Sequence, residues 1–146
     1  MFYVQGASIG DLIKGSEEKL GIRQMEGMAG LSKKIDRMQI IRTSQLADSL
    51  YIPAADNADR VMLVSPDRQD LLQKFVHSRY DSTNGKTPEI SCLVLAQSDH
   101  LPSFLIDYSR SRNVFSFATG HDEYLIESRL KGLYNEKVMC RTMIHG

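Results

Sequence analysis

Neither sign of charge is in excess in this chain, cysteine is scarce, and long apolar runs are missing. Lys and Arg number 18 together, as do Asp and Glu, so the 146-residue sequence carries no formal net charge. That balance excludes the strongly basic surface of a nucleic-acid binder and an acidic tail. No stretch approaches the ~20 apolar residues of a membrane-spanning helix, and the first residues form no charged-then-apolar signal peptide. The cytoplasm is the expected location. The two cysteines, Cys92 and Cys140, stand far apart. They make no C-x-x-C, which excludes a thioredoxin-like redox motif and a zinc knuckle. Each lies in an apolar, strand-like run, where core packing is the expected role of a free thiol.

Signatures of self-contained chemistry are also missing. The sequence has no G-x-x-x-x-G-K-[ST] to cradle phosphates, no G-x-G-x-x-G, no G-x-S-x-G elbow and no H-E-x-x-H. "GHDEY" at 120–124 does gather His121, Asp122 and Glu123. Adjacent helical positions diverge, so the three are not expected to converge on one ion. Acids in a first helical turn also satisfy the helix dipole. The basic pairs in "SRSR" (109–112) and "ESRLK" (127–131) fall late in their segments and read as solvated faces. His77 and His100 carry no distinguishing context. A small hydrolase built on His121, Asp122 and Glu123 lacks a nucleophile with a base.

What is present is alternation. "MFYV" reads as a short strand. Ser8 then caps a helix that has Asp11 in its first turn and Gly21 as its stop. "IRQM" is a strand, and Gly27 and Gly30 mark a turn. A further strand is expected around 35–41, and Ser44 is placed to cap a helical turn with Leu46 and Leu50 facing inward. "RVMLV" is an apolar strand followed at once by a helix, with Ser65 at the N-cap and Pro66 and Asp67 suited to the first turn. "ISCLVLA" is continuously apolar, as in a strand covered on both faces. A helix opening near Pro102, the strand "VFSF", a long helix over 120–137 and a last strand "VMCRTMI" complete the pattern. Strands alternating with helices imply an α/β fold, with a mainly parallel sheet flanked by helices in the second half and shorter or mixed strands in the first.

The order of these motifs resembles the HPr kinase/phosphorylase family. Its opening "D-L-L…LGL-x-L-x-x-G-x-x-GL-x-x-x-I…R" maps onto Asp11, Leu12, Leu20, Gly21, Gly27, Gly30, Leu31, Ile35 and Arg42. Its "P-x-I-I-V-T…P-x-x-L" is similar to the stretch holding Pro88, Ile90, Pro102 and Leu105, and Thr119 stands where the family has a threonine before a long helix. "RTSQL" replaces the family's "R-P-G-L" at Thr43 and Ser44, and "SPDRQ" replaces its "G-x-x-E".

The resemblance implies that residues 1–146 are the amino-terminal domain, an α/β unit similar to the amino-terminal domain of the Mur ligases. A carboxy-terminal P-loop domain of the same chain would follow. The complete enzyme would use ATP or pyrophosphate with Mg to phosphorylate a serine of the phosphocarrier HPr, and would reverse this by phosphorolysis, in control of bacterial carbon metabolism. It would be a homo-oligomer. The closing "HG" makes His145 the one active-site residue implied here, and only in the complete enzyme. The amino-terminal domain itself is expected to be non-catalytic and to hold no cofactor or metal. The alternative is a stand-alone regulatory module of the same fold that senses a small ligand.

Overall fold

The computed structural model describes residues 7–45, 59–81 and 90–139. The "MFYV" segment, Leu46, Leu50, Cys140 and His145 lie outside them.

Two antiparallel strands, β1 (Ala7–Ser8) and β3 (Lys34–Ile35), form a small ladder. The main sheet contains β2 (Ile22–Glu26), β4 (Met38–Arg42), β5 (Asp59–Val64), β6 (Ile90–Leu95) and β7 (Phe115–Thr119). Their order is β2-β7-β6-β5-β4, with β4 to β7 mutually parallel and β2 antiparallel to β7. This is the α/β layering expected from the alternation, and β2 is the mixed strand contributed by the first half.

Side chains alternate across the sheet and build two cores. On one face Val61, Leu63, Cys92, Val94, Phe115 and Phe117 meet α1 (Ile9–Ile13) and α4 (Glu123–Tyr134). On the other, Met62, Val64, Leu93, Leu95 and Ala118 meet α2 (Gln69–Asp81) and α3 (Ser103–Arg112). Coverage on both faces explains why β6 is buried along its whole length.

Local chemistry differs from the sequence reading in four places. The capping box of Ser8 and Asp11 forms as expected, but α1 stops at Ile13 instead of continuing to Gly21. Lys14 turns extended and Gly15 takes a left-handed φ of 81°, a conformation that ends a helix with no Cβ penalty. The strand expected over 35–41 is broken at Asp36 and Arg37, whose backbone N–H groups both donate to Asp59 Oδ2. Ser65 does not cap the helix after it with its side chain. A 3-10 turn (Pro66–Arg68) opens that helix, and the Ser65 hydroxyl instead faces Thr43 Oγ1 at 3.4 Å. Val138 and Met139, expected to begin a strand, belong to a π turn (Asn135–Met139) that prolongs α4. There the Lys137 ammonium donates to Lys14 O, Leu12 O and Ser16 Oγ, closing the carboxyl end of α1.

Gly27 and Gly30 sit where no other residue fits. Gly27 has φ 73°, and a Cβ there would land on the Val114 carbonyl. A Cβ on Gly30 would stand 2.5 Å from Asn113 O and 2.7 Å from Phe115 N. The turn between β2 and β3 thus lies backbone to backbone against the entry to β7.

Candidate functional site

In open α/β sheets, ligands gather outside the carboxyl ends of the parallel strands. Here those ends are Arg42, Val64, Leu95 and Thr119. Around β4 and β5 the chain places Thr43, Ser44 and Ser65, and the first turns of α4 bring Glu123, Tyr124 and Glu127 alongside. Thr43 is fully buried, and its hydroxyl accepts from the Ser65 backbone N–H at 3.1 Å. Ser44 Oγ donates to Glu123 Oε1 at 2.8 Å. The Arg42 guanidinium lies 4.5 Å from the Tyr124 ring centroid, in cation–π range. Its Nε is 3.3 Å from Glu127 Oε1, an ion pair outside hydrogen-bond geometry. Lys131, one turn along, pairs with the other Glu127 oxygen at 3.0 Å.

The polar groups in this cluster are committed to one another, and together they strap α4 onto the end of β4. Glu123 Oε2 and Arg42 Nε are the exceptions, buried with no hydrogen-bond partner among the described residues. Two carboxylates one turn apart suit acid–base work when one is freed from cations. Glu127 is held by two cations and Glu123 Oε1 by a serine, so among the described residues the two carboxylates are not a matched acid and base.

The "GHDEY" residues do not converge. Asp122 is the N-cap of α4 and its Oδ1 accepts from the Leu125 N–H at 2.8 Å. Glu123 points to Ser44. His121 Nε2 lies 3.1 Å from Arg129 Nη1 and 3.2 Å from Lys19 O. Arg129 also donates to Lys19 O. A ring nitrogen that accepts from Arg129 must carry its lone pair there, so the Lys19 carbonyl is left to the guanidinium. The resulting knot fastens the loop before β2 to α4. It offers no nucleophile, and the hydrolase reading finds no constellation here.

The remaining candidates are structural where they are described. Cys92 is buried, and desolvation pushes its thiol from 9.0 up to about 12, so it stays protonated and inert. Arg110, in "SRSR", makes a bidentate pair with Glu26 at 3.0 Å, and that hydrogen bond and charge raise its pKa further. His100 is exposed. Among the described residues no group of three His, Cys, Asp or Glu side chains could hold a metal ion, and no helix is long and apolar enough to cross a membrane. Periodicity gave no hint of the Arg42–Tyr124 stack or the Ser44–Glu123 bond, because both join distant parts of the chain.

A scan against protein-family models and a search of the curated proteins find no match for this chain.

Proposed function

We propose that this chain is the non-catalytic amino-terminal domain of an HPr kinase/phosphorylase, with an assembly or regulatory task beside a P-loop domain. One observation carries the reading. Several of the residues that bear the resemblance have a specific job in the fold. Asp11 completes the capping box, and Leu12, Leu20 and Ile35 are core. Gly27 and Gly30 allow the backbone contact with the entry to β7. The Thr119 hydroxyl donates to Leu20 O at 2.6 Å, joining "LG" to the start of the long helix. These matched positions fall where the fold needs those residue types, which supports the reading.

On this reading the phosphate loop lies in the carboxy-terminal domain, which would bind ATP or pyrophosphate with Mg and receive the serine of the separate protein HPr, with His145 joining that site in the complete enzyme. Phosphoryl transfer depends mainly on positioned groups that stabilise charge on the phosphates, and these 146 residues contain no loop to supply them. Two measurements test the reading. Calorimetric titration of this chain with ATP should give no heat of binding, and micromolar binding would contradict it. A gene continuing past Gly146 should encode G-x-x-x-x-G-K-[ST] within about fifteen residues. The two-domain product should then phosphorylate HPr, and replacing His145 should weaken that activity.

A further inference from the structure

We propose that β2 is a self-association edge, and that two copies of this chain pair antiparallel through it, centred on Met25. This inference is independent of the kinase reading.

Among the described residues no strand pairs with the outer side of β2, the terminal strand of the sheet. Such an edge presents unpaired backbone N–H and C=O groups to another strand. Beside it lies a groove of about 300 Å³, with Gly10, Ile13 and Leu31 as its floor and Met25 and Met28 as its wall. Both methionines are large apolar side chains left open, at 37% and 52% exposure. Methionine walls adapt to what covers them. The rim carries one residue of each sign, Lys14 and Glu17, which a second copy can match without like-charge repulsion.

The sequence of β2, "IRQME", selects the occupant. In an antiparallel pair related by a two-fold axis, directly opposite residues share a face. Centring the axis on Met25 sets the two Met25 side chains against each other on the groove face. On the other face it sets Gln24 opposite Glu26 of the second copy. The Gln24 oxygen is already used, accepting from the Leu101 N–H at 2.7 Å, and its NH₂ remains to donate. Glu26 takes two bonds from Arg110 and still has acceptor positions left. The ladder of β2 is irregular between Ile22 and Gln24, so its regular part is Gln24–Glu26, of which Met25 is the centre. The strand is thus complementary to itself in one register. A single five-residue edge and two methionines make a small interface, so the dimer is weak and concentration-dependent.

Sedimentation or light scattering of this chain, from low micromolar to millimolar concentration, should show mass rising from 16.5 kDa toward twice that value. Met25→Lys sets like charges directly opposite and should weaken dimerisation at least tenfold. Its thermal midpoint at low concentration should stay near that of the parent chain, which separates lost association from lost folding. In a Cys140→Ser background, Met25→Cys should cross-link two chains under mild oxidation, and Tyr124→Cys, on α4, should not. A monomer at every concentration overturns the proposal. So does a dimer indifferent to Met25→Lys, which would place the contact elsewhere, or a β2 edge already covered by residues of the same chain.

Discussion

β6 and β2 are strands of similar length in one sheet, built to opposite rules. β6, "ISCLVL", is buried at every position, whereas β2, "IRQME", alternates between half-buried and exposed. The difference follows from place. β6 has a strand on either side and helices over both faces, so every side chain meets apolar neighbours. Among the described residues β2 has one strand neighbour, and it is held by backbone contact at Gly27, by polar reach to Leu101, and by ion pairs of Arg23 with Asp99 and Glu26 with Arg110. The centre of this sheet is stabilised by burial and its edge by fit.

The sharpest way to break that contrast is Gly27→Ala. It adds left-handed strain to a clash with the Val114 carbonyl, and should cost about 4 kcal/mol in denaturant unfolding. Gly15→Ala has the same left-handed strain but open space around the new methyl, and should cost only about 1 kcal/mol. Equal costs would show that strain, and not close approach, fixes the edge.

Leu93→Ala in β6 should lose about 3 kcal/mol through a cavity, against less than about 0.5 for Met25→Ala in β2. The same pair should separate in hydrogen exchange, with β6 amides opening only on global unfolding and β2 amides sooner.

Cys92 gives the centre a pH signature. Its folded pKa is raised from 9.0 to about 12, so above pH 9 the unfolded chain releases this proton and the folded one does not. Stability attributable to the thiol is complete below pH 9 and should fall by about 1.4 kcal/mol per pH unit from there toward 12. Cys92→Ser should remove that slope, and iodoacetamide should reach Cys92 only in unfolded chains. A modest effect is expected at Lys137. Lys137→Met removes the ammonium that closes α1, and should cost about 1 kcal/mol in thermal or denaturant unfolding.

The core alternation was readable because its causes are local. Apolar runs marked β5 and β6, Pro66 and Pro102 marked helix entries, and the pair Gly27 and Gly30 marked the turn. What could not be read depends on partners remote in the chain. Ser65 stands at the N-cap position as expected, but its hydroxyl faces Thr43, from the turn after the neighbouring strand, instead of capping the helix. The break between β3 and β4 belongs to Asp59, more than twenty positions on. The end of α1 was a local signal of another kind, because Gly15 took the stopping role expected of Gly21. At the carboxyl edge, Glu123 was visible as an acid at a helix start, while its bond to Ser44 required the sheet order.

The pairing of β2 with β7 has a consequence for the order of events in folding. It joins Ile22 to Thr119 and Glu26 to Ser116, positions separated by most of the chain's length. Contacts of that separation form late, after nearer ones have reduced the entropy of closing so long a loop. On a ribosome, β2 emerges before β7 and waits for about ninety more residues before that neighbour exists. During that interval Met25 sits on a strand with no ladder at all, with Met28 in the turn just beyond it, and the charges at Arg23 and Glu26 then act as guards against premature pairing.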